Sequence, residues 1–243
     1  MNHEILMVIC LMAVAFLYSS VGHGGASGYL AVMALFSIQP EIMKSTALVL
    51  NLFVAGVAFY SFYREGYFRW RLLWPFLITS MPAAFLGARF HVNPGLYKIL
   101  LGVFLLLAAF RLFFNPGKGN SENRYIPLRL ALLIGLVIGF VSGLIGIGGG
   151  ILLTPILLIG RYARAKEASA VSALFILLNS STGLIGLATK GLHITPEISL
   201  WIAATLAAGF LGSFTGSHRL SEISLRRVLS FVLILATFKL FMI

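Results

Sequence analysis

The chain has 243 residues, 59% of them hydrophobic and only 10% charged, with a net charge of +11 and a mean hydropathy of +0.98. That composition excludes a soluble globular domain and points to an all-α integral membrane protein. The seven acidic residues are glutamates at 4, 41, 65, 122, 167, 197 and 222, all near segment ends or in loops. A cation carrier built on intramembrane carboxylates is therefore not expected, and basic residues flanking apolar spans need no nucleic acid to explain them.

The first hydrophobic segment, 4 to 21, has no Lys or Arg before it and no small-x-small cleavage pattern, so a retained helix is expected rather than a signal peptide. It carries Cys10, the only cysteine, which excludes an intrachain disulfide. After VGHGG come a short segment, 26 to 38, then 44 to 63, 71 to 90 and 95 to 113. The polar stretch NPGKGNSENR, 115 to 124, is a loop by its Pro, Gly and Asn content. Beyond it lie 127 to 145, a short segment at 150 to 160 entered through GLIGIGGGILLTP, then 167 to 189, 196 to 216 and 223 to 242. Tyr67, Trp70, Trp74 and Trp201 fall near segment ends, as interfacial anchors do.

The order of segments repeats. VGHGG at 21 to 25 matches IGIGG at 145 to 149, and FLGARF at 85 to 90 matches FLGSFT at 210 to 215. Asn51 can be set against Asn179, and FRLF at 110 to 113 against FKLF at 238 to 241. The expected organisation is one transport domain made of a first repeat, 1–114, a connecting loop, 115–125, and a second repeat, 126–243. The short segments rise only about 16 to 20 Å, against a hydrocarbon core of about 30 Å. If all ten segments nevertheless change sides, Lys44, Arg89, Lys98, Lys190 and Lys239 collect on one face. The other thirteen of the eighteen Lys and Arg collect on the opposite face. If the short segments only extend their predecessors, the split is nine against nine. The first arrangement obeys the positive-inside rule and puts both termini away from the cytoplasm. Five segments per repeat is odd, so the halves are expected to be inverted repeats, an architecture of secondary transporters.

Each short segment would then start at depth, at Ala26 or Gly150, with its helix N-terminus pointing inward. Free N–H groups and the positive dipole end suit an anion, and glycine allows close backbone approach. The expected substrate-binding set is Gly22, His23, Gly24, Gly25, Ser27, Asn51, Gly146, Gly148, Gly149, Gly150, Thr154 and Asn179. Plainer readings stand beside it. Gly135, Gly139 and Gly143 follow the GxxxG spacing of helix packing, and the asparagines could bridge helices. His23 could bond to a nearby carbonyl. The hydroxyls of Ser27, Thr154, Ser180 and Ser181 could bond to their own helices. Arg89 could draw anions into an outer vestibule or snorkel to the interface. A dinucleotide fold is excluded, because no strand precedes the glycines and no acidic residue follows at the needed distance.

The paired glycine turns, GIGGGILLTPILL with Pro155, and the FLGARF and FLGSFT motifs together resemble the TauE/SafE sulfite exporter family over essentially the whole chain. The first half departs from the second, with His23 in the place of Ile147 and Ala31 in that of Pro155. The resemblance implies a carrier in the bacterial inner membrane for small anions such as sulfite, sulfoacetate or related organosulfur compounds, with no cofactor. A channel or a non-transporting scaffold is the alternative. A hydrolase is disfavoured, since no GxSxG elbow occurs and no acidic residue is placed to orient a histidine. The lipid bilayer and a small anion are the expected partners. The oligomeric state is left open, a homodimer included.

Overall fold

A computed structural model describes residues 2–20, 22–113, 125–192, 194, 196–216, 234 and 237–238. The described residues form nine helices and no strand. These are α1 (Asn2–Ser20), α2 (Ala26–Leu35), α3 (Pro40–Arg64), α4 (Trp70–Arg89), α5 (Pro94–Phe113), α6 (Leu128–Ile145), α7 (Gly150–Ile159), α8 (Ala165–Ala188) and α9 (Ile198–Gly216). Six of them, α1, α3, α4, α6, α8 and α9, are long and apolar enough to cross a membrane. The expected tenth segment, 223–242, lies outside the described residues apart from 234, 237 and 238.

Helix α3 begins four residues earlier than its apolar run, because Pro40 opens it at N1 and its first turn is polar. The consequence is that Lys44 and Ser45 lie inside the helix and are buried. The two short helices have ten residues each. The first is shorter than its hydrophobic run because the chain turns at Ser37, whose φ is +60°.

At the centre α3 and α8 cross antiparallel. Phe62 and Ser169 flank Gly22, Asn51 bonds to Ser180, and Leu48 faces Gly183. Helices α4 and α6 run parallel: positions 135, 139 and 143 of α6 rest on the backbone of Phe76, Ser80 and Ala84. A methyl group at any of these glycines would meet a carbonyl oxygen of α4, so the GxxxG stripe is a packing surface. Thr79 closes the same seam by donating to the carbonyl of Leu132 at 2.7 Å.

Helices α1 and α9 repeat this contact elsewhere. Gly87 abuts the carbonyl of Phe140 as Gly212 abuts that of Phe16. Gly143 meets the carbonyl of Ala84, while Ser19 donates to that of Gly209 at 2.6 Å. The partners differ by 124 or 125 residues between the two seams. Large apolar side chains such as Ile9, Ile78, Leu107, Leu133, Val137, Leu200, Phe210 and Phe214 point outward from the long helices. That surface suits hydrocarbon and not water. Helix α2 has nine of its ten residues buried. Interrupted backbone thus lies enclosed by continuous helices, as a membrane interior requires.

Candidate functional site

The two glycine turns share two left-handed positions and differ at a third, Gly24 against Gly148. After α1, Gly22 (φ +77°) and Gly25 (φ +94°) are left-handed, and after α6 so are Gly146 (φ +90°) and Gly149 (φ +80°), each pair 124 residues apart. A residue with a Cβ is strained there. Gly148 (φ +71°) is left-handed as well. Gly25 and Gly149 are the N-caps of α2 and α7, and neither helix has a side-chain cap. The first-turn N–H groups of a helix have no partner within it. The earliest ladder bonds here run from Tyr29 to the carbonyl of Gly25 and from Leu152 to that of Gly149. The N–H groups of Ala26, Ser27 and Gly28, and of Gly150 and Ile151, therefore precede both ladders.

The turns meet on Asn51, which is fully buried in α3. A Cβ on Gly24 would stand 2.6 Å from Asn51 Oδ1, and a Cβ on Gly148 would stand 2.6 Å from Asn51 Nδ2. Ile176 of α8 touches both turns as well. They reach this point from opposite ends of α3, Gly22 lying by Phe62 and Gly146 by Lys44. Those two positions are about 27 Å apart along the helix. Asn51 Nδ2 donates to Ser180 Oγ at 3.3 Å, while its Oδ1 has no partner.

A second polar group links the first turn to the second short helix. His23, half-buried, places Nε2 3.0 Å from Thr154 Oγ1. The Thr154 hydroxyl also lies 3.0 Å from the carbonyl of Gly150 and 2.8 Å from Ser172 Oγ on α8. It has one proton to give, shared between those two acceptors, and its lone pairs remain for an N–H on His23 Nε2. The cluster contains no carboxylate, and no group of three or more His, Cys, Asp or Glu able to hold a metal occurs among the described residues.

The family model described as "Sulfite exporter TauE/SafE" matches residues 7–240. The chain belongs to this family. Family membership makes it a membrane transporter. Its relatives include the probable membrane transporter protein y4hK of Sinorhizobium fredii, 36% identical with 96% of each chain covered. Another is the probable membrane transporter protein YjnA of Bacillus subtilis, 26% identical over 98% of this chain and 99% of that one. No solved structure matches.

Within this TauE/SafE chain, Gly24 and Gly148 come together on Asn51 and His23 meets Thr154, while other expected members stand apart. Ser27 is bonded to Tyr18 Oη at 2.8 Å. Asn179 donates to the carbonyl of Phe175 in its own helix at 2.9 Å and leaves its Oδ1 unpartnered. The expected match of Asn51 with Asn179 also differs from the packing. Gly24 meets Asn51 and Ile176, and Gly148 meets the same two, so the counterpart of Asn51 is Ile176, 125 residues on. An apolar residue facing an amide carries no sequence signal. Ser181 bonds to its own helix, at the carbonyl of Leu177. Arg89 lies over the Phe85 ring at 5.5 Å. Ser172 was not foreseen, since one serine among many in α8 has no distinguishing pattern.

Proposed function

We propose that the protein is a secondary transporter of small oxyanions, with sulfite or organosulfonates such as sulfoacetate as substrates, working by alternating access. Its two halves would be inverted repeats, and the anion would be held between the N-termini of α2 and α7 near the membrane midplane. The observation that carries this reading is that Gly24 and Gly148, one from each turn, face opposite ends of the same Asn51 amide. Uncapped helix N-termini with glycine in the first turn provide N–H donors and positive potential without a cationic side chain.

In this reading Gly22, Gly24, Gly25, Gly146, Gly148, Gly149 and Gly150 shape the backbone around the ion. His23, Ser27, Asn51, Thr154 and Asn179 supply side-chain polarity. The unpartnered Oδ1 of Asn51 suits the hydroxyl of a protonated oxyanion, which presents both acceptors and one donor. Inverted repeats are supported by the recurrence of the α4–α6 contacts in α1–α9 at offsets of 124 and 125. They are supported too by the loops at 64–71 and 161–166 lying on one face, where Arg69 pairs with Glu167 at 3.4 Å. The positive-inside rule then makes that face cytoplasmic, in a bacterial inner membrane, with both termini on the other side.

The test is flux of radiolabelled sulfite and sulfoacetate into proteoliposomes, with chloride, phosphate and an amino acid as controls. Saturable uptake with exchange across the membrane is the expected result. Flux that never saturates would make the protein a channel, and no flux of any oxyanion would make it a scaffold.

A further inference from the structure

A cavity of about 290 Å³ opens between the start of α3, the end of α4, the start of α5 and the end of α8. With a water occupying about 30 Å³, it has room for a small oxyanion and part of its hydration shell. Lys44, Arg89, His91 and Lys190 line it, together with one carboxylate, Glu41. With His91 neutral, three positive charges less one negative leave a formal +2.

Lys44 is the unusual member. It is only 8% exposed, and its Nζ donates to the carbonyl of Ala88 at 3.1 Å. That carbonyl belongs to the last turn of α4, where a cation is favoured by the dipole and an unpaired acceptor needs a donor. Capping α4 uses one of the three ammonium protons and does not account for Arg89, His91 and Lys190 around the same space. Two lining residues, Lys44 and Tyr97, connect the cavity to the second glycine turn. Gly146 lies against Lys44, where a Cβ would be 3.0 Å from Lys44 Cγ. Tyr97, another lining residue, donates to the carbonyl of Ile145 at 2.9 Å, holding the entry to the turn.

We propose that this cavity is an anion-collecting vestibule for small oxyanions, with Lys44 as its contact residue and the packing of Lys44 on Gly146 as its link to the second glycine turn. Passage onward to Asn51 rests on the transport reading above; the capture of anions in the cavity does not.

The experiment therefore involves no transport. In the full chain with Cys10→Ala, a reporter Leu187→Cys is placed on the cavity wall. Its reaction rate is measured with an anionic sulfonatoethyl methanethiosulfonate and with the cationic trimethylammonium analogue. The anionic reagent is expected to react faster. Lys44→Met should lower the anion-to-cation rate ratio about tenfold, since one charge a few ångströms away is removed. Lys190→Gln, at an exposed position, should lower it less, and Glu41→Gln should raise it. A ratio unmoved by Lys44→Met would overturn the vestibule. If Lys44→Met does not fold, ratios unmoved by both Lys190→Gln and Glu41→Gln would do the same. If the ratios behave as expected while every oxyanion fails in the flux assay, the vestibule stands and the carrier reading falls.

Discussion

Asn51 of α3 donates through Nδ2 to Ser180 of α8 at 3.3 Å, and in doing so presents its amide edge-on to both glycine turns. One side chain thereby touches the two interrupted segments and the central antiparallel pair. A hydrogen bond between membrane helices averages about 0.6 kcal/mol, so its loss is a small structural change. Asn51→Ala should keep the protein folded, with a thermal midpoint close to that of the parent, while lowering the initial rate of sulfite uptake tenfold or more. A variant that transports normally would reduce Asn51 to a helix bridge.

The glycines facing that amide should respond differently from one another. Gly24→Ala brings a methyl group onto Asn51 Oδ1 without a left-handed φ, whereas Gly148→Ala meets Asn51 Nδ2 and is also left-handed at +71°. Combining each with Asn51→Ala removes the closest collision in both and leaves a similar contact with Ile176 Cγ2, at 3.0 Å from the Gly24 methyl and 2.9 Å from the Gly148 methyl. Folding yields should recover substantially for the Gly24 pair. They should stay depressed for the Gly148 pair, where backbone strain of about 1–3 kcal/mol persists. Equal recovery would show that φ is not what demands glycine at 148.

Gly139 supports the fold and touches neither turn. Its added Cβ would lie 2.5 Å from Ser80 Cα, and Gly139→Leu would push α6 off α4. Overpacking of this kind costs about 1–3 kcal/mol. Thermal unfolding in detergent should shift downward by several degrees, and the Gly139→Ala shift should be smaller but of the same sign.

Arg69 and Glu167 join the α3–α4 loop to the start of α8 across 3.4 Å, with Lys166 bonded to Tyr67 Oη beside them at 3.1 Å. Partly exposed pairs contribute little, about 0–1 kcal/mol, so exchanging the two charges should leave stability nearly unchanged. Their value is topological. In a Cys10→Ala background, single cysteines at 69 and at 167 should each be reached by an impermeant thiol reagent from the cytoplasmic side only. Labelling from opposite sides would break the inverted-repeat reading.

His23 bonds to Thr154 through Nε2, which ties the first turn to the second short helix. If a protonated imidazole assists anion entry, uptake should rise as pH falls from about 8 to 5, the range in which histidine changes charge. His23→Gln should flatten that rise while Thr154→Val retains it. An unchanged profile in His23→Gln would assign the histidine a purely structural bond.

Membrane residence, the nine described segments and both interruptions were legible from composition and from two short motifs. Apolar length and clustered glycine act locally, and water or lipid imposes them on any chain of this make-up. Recurrence at an offset near 124 was legible for the same reason, since VGHGG and IGIGG both set glycine at the two positions, 22 and 25 or 146 and 149, that are left-handed in each turn. Only the packed structure decided which side chain the two turns would share. It set Asn51 opposite Ile176 and not Asn179, and it buried Lys44 against Gly146 and the end of α4. Those outcomes depend on the register of α3 against α8 and on the approach of α4, contacts between residues more than forty positions apart. Register between distant helices arises from the fit of many side chains at once, and no local run of residues records it.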